Sequence, residues 1–271
     1  MPESGLTQVA LEVGFATVLR GAKRFNDRNV SLTYRGQVQL EDGSTKNVIL
    51  KDLGSKELSN ELLSTVIAQL LGLPTPRVYL ALVPDGVLPI VHAPQINGGG
   101  HVVFASVDVQ VPNLTYQLHH LAGGMPALIN EITAWQHLGQ LYGFDTWTAN
   151  VDRHTGNLLF DGKGEIWLID HGYCYTGPSW QVDHLVPTGQ YRNRLSEWLT
   201  QSLTDAQKHA RAVEVDQFAT QIAELNVAEV IARSRIRALL QQSDVDALEA
   251  FLAQRVVAMP RQAKNALGVL V

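Results

Sequence analysis

Cysteine is almost missing. Cys174 stands alone, so the chain forms no internal disulfide and no multi-cysteine zinc site. By itself it reads as a small residue beside a core strand rather than as a reactive thiol. No apolar run approaches the roughly 18 residues a membrane span needs. The opening Met1-Pro-Glu-Ser-Gly lacks the basic start and apolar stretch of a signal peptide, so the expected compartment is the cytoplasm. Positive charge is not in surplus either. With 21 Lys and Arg against 26 Asp and Glu, the net charge is −5. That excludes a generic polyanion binder and direct nucleic-acid binding, because non-specific affinity for a phosphate backbone needs excess cations. Repeats, low-complexity tracts and long like-charge runs are lacking as well. What the 271 residues do have is apolar material, 45% by count. At about 150 residues per domain this suffices for one large domain or two lobes.

The hydrophobic period changes near residue 110, and a boundary after residue 108 follows. Strand patterns run over Phe15 to Leu19, Val30 to Tyr34, Gln37 to Leu40 and Asn47 to Lys51, with Asp42-Gly43 marking a hairpin turn. Leu58, Leu62, Leu63, Val66, Ile67, Leu70 and Leu71 then fall on one helical face, which Gly72 and Pro74 stop. Short strands are expected at Arg77 to Val83, Leu88 to His92 and His101 to Ser106, interrupted by a loose loop at Gly98-Gly99-Gly100. Past Gly123-Gly124 the chain turns helical. Pro126 suits a first helical turn, and Leu128, Ile132, Trp135 and Leu138 mark one helix ending near Gly143. A hairpin follows, Asn157 to Phe160 and Glu165 to Asp170. Residues 193–267 read as three or four amphipathic helices burying Trp198, Phe218, Ile222, Leu248 and Phe251. The expected fold is α+β in two lobes: a small β-rich N-lobe with one helix (1–108) and a larger, mainly helical C-lobe (109–271).

The chemistry concentrates in Asp152-Arg-His-Thr-Gly-Asn157-Leu-Leu and in Ile166-Trp-Leu-Ile-Asp170-His171-Gly172. A loop feeding a short hairpin brings Asp152, Asn157 and Asp170 together. Oxygen donors of this type suit Mg²⁺, which takes few protein ligands and fills its shell with water and phosphate oxygens. An aspartate free of the metal can accept or orient a hydroxyl proton. That combination points to phosphoryl transfer.

At these residues the sequence resembles the protein-kinase-like superfamily, most closely its HipA-like branch together with the phosphatidylinositol 3-/4-kinase branch. Those proteins share an Asp-Arg-His-x-x-Asn catalytic loop, matched by Asp152 to Asn157. Their metal-binding Asp replaces the Asp-Phe-Gly of ordinary protein kinases and is matched by Asp170-His-Gly. The resemblance implies Asp152 as catalytic base or orienting group, His154 as support for the loop or transition state, and Asn157 and Asp170 as Mg²⁺ ligands. It also implies ATP as the phosphoryl donor and a hydroxyl of a protein serine or threonine as the acceptor, with a small molecule or lipid as the alternative. The superfamily places a nucleotide lysine at the end of a small-lobe strand and a glutamate on the next helix. Lys51 and Glu61 match that order, with Glu57 as the rival partner.

The turn Leu19-Arg-Gly21-Ala-Lys-Arg-Phe-Asn26 holds one glycine where ordinary kinases have three, so Gly21 and Lys23 are the candidate phosphate contacts. The adenine is expected near Phe104-Ala-Ser-Val-Asp108. Taken singly, Lys51 is a strand-end surface lysine, Glu61 a solvated helix residue, and Asp152 with Asn157 a turn-capping pair. Asp145 and Asn150 read as structural caps. The five tryptophans are core candidates, with Trp180 near the cleft. His119, His120, His154, His171 and His184 show no metal-ligand spacing on a clear helix. Two other classes stay open: a nucleotide-binding module on a degenerate kinase fold, and a metal-dependent hydrolase using Asp152, His154, Asp170 and His171.

Overall fold

Alternating side chains along residues 14–52 build β1 (Gly14–Val18), β2 (Lys23–Arg24), β3 (Leu32–Leu40) and β4 (Thr45–Asp52). The structure is a computed structural model that describes residues 11–24, 32–113, 124–161 and 164–269. Strands β3 and β4 form a hairpin whose register runs from Leu32↔Asp52 to Gln39↔Thr45. The two strands expected around Arg35-Gly36 are one strand, apart from Val30 and Ser31, which lie outside the described residues. Gly36 stays within β3 because the missing side chain admits the β1–β2 kink. A Cβ there would come within 2.6 Å of the Ala22 Cβ, a separation no packed pair tolerates.

Helix α1 (Ser55–Leu70) follows, then β5 (Val78–Val83) and β6 (His101–Val107). The strand order is β1-β5-β6-β4-β3-β2, and β1 also pairs with β3. β1 lies antiparallel to β3 through Ala16↔Leu40 and parallel to β5 through Phe15↔Leu80. The β-rich region is thereby a closed barrel of five strands rather than the open small lobe of an ordinary kinase. Its interior alternates large and small side chains, with Tyr34, Val38, Val48, Leu50 and Tyr79 against Ala81 and Ala105. Closure removes the sheet edges that an open arrangement would expose.

The strand expected at Leu88 to His92 does not form. Pro89 and Pro94 withhold ladder donors, and the backbone N–H groups of Val91, His92 and Ala93 instead donate to the buried Asp52 carboxylate at 2.7, 3.0 and 2.7 Å. Helix α1 is enclosed on every side from Leu58 to Ala68, not on one face as its leucine spacing suggests. It packs between the barrel and the helical region, and this burial takes Asn60 and Glu61 into the interior.

Beyond residue 123, α2 (Gly124–Ala134) and α3 (Leu138–Trp147) replace the single helix expected to end near Gly143. Gly139 and Gly143 are crossing points rather than stops. A Cβ on either would come within 2.6 Å of α5, at Arg211 O and at Phe218 Cδ1 respectively. The one-turn 3₁₀ helix Thr155–Asn157 leads into β7 (Leu158–Phe160) and β8 (Ile166–Leu168). Five helices complete the described chain: α4 (Arg194–Leu199), α5 (Asp205–Ala223), α6 (Val227–Ser234), α7 (Gln242–Arg255) and α8 (Met259–Ala266). The spacing of apolar residues predicts three or four, because the short α4 and the proline-led α8 carry too few turns to show a period. Phe218, Ile222, Leu248 and Phe251 are buried, whereas Trp198 is only half-buried against the core. Among the described residues no helix is long and apolar enough to cross a membrane.

Candidate active site

The loop after α3 is built on a buried ion pair. Arg153 is fully enclosed and reaches both Asp145 oxygens through Nε at 3.3 and 3.0 Å, with Nη2 on Oδ1 at 3.0 Å. Its Nη1 donates to the Asn157 and Ile169 carbonyls at 3.3 and 2.8 Å. One guanidinium thus ties α3, the loop and the β7–β8 hairpin together, and its bonds offset the desolvation that a buried charge must meet. Asn150 accepts from the Asp152 backbone N–H at 3.1 Å and donates to Asp145 at 2.9 Å. Asp145 and Asn150 are structural, but as a charge partner and a loop brace rather than as helix caps.

This bracing presents Asp152, His154 and Asn157. One Asp152 oxygen pairs with the Arg194 guanidinium at the start of α4, and the other lies 3.7 Å from His154 Nε2. His154 Nδ1 accepts from the Gly156 N–H at 2.9 Å, so the neutral ring carries its proton on Nε2, toward Asp152. Burial holds His154 below the ordinary imidazole range despite the neighbouring carboxylate. Asn157 donates its amide nitrogen to the Asp152 carbonyl at 2.9 Å, which leaves Oδ1 as its open acceptor.

Across the hairpin Asp170 adopts a left-handed backbone, φ 61°. That conformation is costly for a residue with a Cβ and is characteristic of functional sites. Asp170 Oδ1 lies 3.0 Å from Lys51 Nζ, and Lys51 also bonds Glu61 Oε1 at 2.5 Å. The second Glu61 oxygen accepts from the His171 backbone N–H at 2.8 Å, so strand β4, helix α1 and the segment after β8 meet at one ammonium. Burial opposes the charge of Lys51, but Asp170 and Glu61 outweigh it and hold the ammonium above its ordinary range. Partial burial would raise Asp170, and Lys51 overcomes it, drawing the carboxyl down. Its side chain keeps 44% of its surface open. Glu57 lies one turn earlier on α1, against Gly172, and it is Glu61 that bonds Lys51.

Gly21 forms the kink between β1 and β2, with φ 99° and open space where a side chain would be. Lys23 pairs with Arg35, and Arg35 with Ile49. Cross-strand partners share a face, as do residues i and i+2, so Lys23 lies on the sheet face that carries Lys51. Phe25 and Asn26 of the same turn fall outside the described residues. Phe104, in register with Lys51, lies under its ammonium at 5.6 Å, and Asp108 pairs with Arg35 at 2.9 Å.

His171 does not join the open group. It is buried, edge-on to Phe144, with Nδ1 3.2 Å from Arg153 Nη2. Among the described residues no three His, Cys, Asp or Glu side chains cluster to hold a metal; His119 and His120 lie outside them. Cys174 is buried and free, and burial pushes its thiol up to about 12, so it is chemically quiet. Trp180 is buried as well, and its indole donates to Asn60 at 2.9 Å. Sequence reasoning missed Arg153, Asn60 and Arg194. Arg153 could have been found, since it stands inside the loop motif next to an otherwise idle Asp145. Nothing in the sequence joins Arg194 to Asp152 across 42 positions.

No curated protein matches this chain. A family model described as HipA-like kinase matches residues 37–225, a span that holds Lys51, Glu61, Asp152, Asn157 and Asp170 and begins after Gly21 and Lys23. With well over half of the 271 residues covered, the chain belongs to the HipA-like kinase family.

Proposed function

We propose that this kinase uses ATP and Mg²⁺ to transfer a γ-phosphoryl group to a hydroxyl, that of a protein serine or threonine. The observation that carries the reading is the Lys51 ammonium held between Glu61 and Asp170, beside a loop that presents Asp152 and Asn157. Residues 1–108 act as the nucleotide-binding lobe, and residues 109–271 as the lobe carrying the catalytic loop, the metal ligands and the acceptor side. Lys51 fixes the nucleotide phosphates, with Glu61 keeping it charged and in place. Gly21 and Lys23 approach the phosphates from the β1–β2 kink. Asp152 aligns the acceptor hydroxyl and takes its proton, and His154 holds Asp152 in orientation.

The donor set fits Mg²⁺. Asn157 Oδ1 is left as an open acceptor and the Asp170 carboxylate is part exposed, which makes two hard oxygen ligands with room for water and phosphate. When bound, the ion would offset the charge of the transferring phosphates.

The test is radiolabelled ATP turnover by the purified chain and by Asp152→Ala and Asp170→Ala. Both variants are expected to lose at least ~100-fold in turnover, by analogy with the loss of a general base or a charge-stabilising group. Asp170→Ala is also expected to weaken the Mg²⁺-dependent nucleotide shift in melting temperature. Undiminished turnover by Asp170→Ala would sink the mechanism. A nucleotide shift without turnover in the unaltered chain would make it a binding module, and transfer only to lipid or small hydroxyl compounds would replace the protein acceptor.

A further inference from the structure

Asp152 Oδ1 is paired with Arg194, while Oδ2 faces the His154 ring at 3.7 Å, beyond hydrogen-bond length, and the two neighbours differ in kind. His154 belongs to the same loop and is pinned there by the Gly156 N–H. Arg194 comes from the first residue of α4, with 37% of its side chain exposed, and its long stem has freedom to leave. An acceptor hydroxyl that takes Oδ1 of Asp152 therefore displaces Arg194. Glu197, three positions on along α4, is already taken by Arg192 in two bonds of 2.7 Å. A guanidinium displaced without a new anion loses a charge-assisted bond, whereas exchange of one anion for another is close to neutral.

A second observation lies one residue away. Arg192, Asn193 and Ser196 line a cavity of about 260 Å³, and Arg255 and the Arg153-paired Asp145 line it too. Arg255 is 1% exposed, yet it meets no carboxylate among the described residues. Its partners are the carbonyls of Thr146, Pro187 and Gly189 and the Gln262 amide oxygen. Four of its five N–H groups are used in this way, and its charge lies over the rings of Tyr191 and Phe251 at 4.8 and 5.3 Å, with no carboxylate partner among the described residues. Burial accordingly draws its pKa down to about 10. Arg194 is thus held by Asp152, and the cavity that opens beside it at Arg192 and Asn193, lined also by the Asp145 carboxylate, holds a second guanidinium that meets no carboxylate among the described residues.

We infer that Arg194 is the acceptor-recognition residue of this kinase, and that the acceptor it admits carries a carboxylate beside its hydroxyl. The inference rests on the proposed kinase reading. In the resting chain Arg194 holds Oδ1 of Asp152. The acidic group of the acceptor takes the guanidinium, the hydroxyl takes the freed Asp152 oxygen, and the cavity beside Arg192 and Arg255 receives the acidic flank. An acceptor without the anion has to strip Arg194 from Asp152 and leave it unpaired.

The experiment compares two serine peptides of one sequence, flanked by glutamates or by glutamines. They are presented with Mg²⁺ and ATP to the full chain and to Arg194→Lys and Arg194→Gln. Equilibrium binding and ATP turnover are read in the same samples. The glutamate peptide is expected to bind the unaltered chain about tenfold more tightly, the size of one charge-assisted bond. Arg194→Lys should keep most of that ratio, and Arg194→Gln should bring it to about one while melting as the unaltered chain does. Equal binding of the two peptides by the unaltered chain overturns the inference, as does a ratio that survives in Arg194→Gln. Loss of turnover in every sample, with the peptide preference intact, instead overturns the kinase reading and leaves the anion site standing.

Discussion

The Glu57 carboxyl shares the surroundings of Glu61 but not its bond to Lys51. Burial, followed by the nearby Glu61 charge, pushes it up to about 7 from an ordinary 4.5. A carboxyl whose folded-state value is raised binds its proton more tightly folded than unfolded. The stability it contributes is complete below about 4.5 and is lost as pH climbs through about 7. Glu57→Gln is therefore expected to stabilise the chain at pH 8 by about 1 kcal/mol, a figure discounted for the solvent that still reaches the group. Near pH 4 it should change nothing. Melting temperatures at the two pH values decide, and an equal shift at both would show that the glutamine acts by packing. At this scale the sequence was readable wherever a residue type is tied to a motif. Lys51, Glu61, Asp152, Asn157 and Asp170 could all be picked out, because spacing within a loop and order along the chain survive in one dimension. Arg194 could not, since an ion pair between a loop and a later helix leaves no periodic trace.

A helix is legible when one face is apolar and the others are not, and the elements here fail that condition in instructive ways. Helix α1 carries the expected leucines, yet its polar residues are buried too, because the barrel covers one side and the 171–180 segment another. Gly143 reads as a terminator by composition, while its actual use is to let α5 approach α3. Gly143→Ala would place a methyl 2.6 Å from the ring of Phe218, which is buried and has no room to retreat. Overpacking of this sort costs ~1–3 kcal/mol, against which alanine regains up to about 1 kcal/mol of helix propensity. The net expectation is a loss of ~1–2 kcal/mol in urea unfolding. Gly139→Ala should lose more, because its methyl meets the Arg211 backbone carbonyl, which moves less readily than a side chain. If Gly143→Ala proved stabilising, propensity would govern this crossing and the contact would carry no weight.

Closure of the barrel is a property of the whole molecule, and for that reason the sequence is silent on it: β1 looks the same whether it pairs on one side or on two. The same holds for the joint between barrel and helices, which centres on Asn60. Its amide nitrogen lies 2.8, 3.0 and 3.1 Å from the carbonyls of Gly172, Cys174 and Gly177, and its oxygen takes the Trp180 indole N–H. The segment so held follows Asp170 directly, and Glu61 on the neighbouring position of α1 bonds both Lys51 and His171 N. Asn60 thus couples the joint between the two regions to the geometry of the site. Asn60→Ala leaves the indole and the carbonyls buried without partners, a loss of about 3 kcal/mol by the usual cost of orphaned groups. All five tryptophans lie beyond residue 134, so their fluorescence follows the helical region, whereas far-ultraviolet dichroism follows barrel and helices together. In the unaltered chain the two signals are expected to unfold at one urea midpoint, as a single cooperative unit does. In Asn60→Ala the fluorescence midpoint should fall further than the dichroism midpoint, because the segment carrying Trp180 loses its anchor while the barrel keeps its closed ladder. Coincident midpoints in the variant would mean that the remaining contacts of α1 suffice to bind the two regions, and that Asn60 contributes stability without serving as the joint.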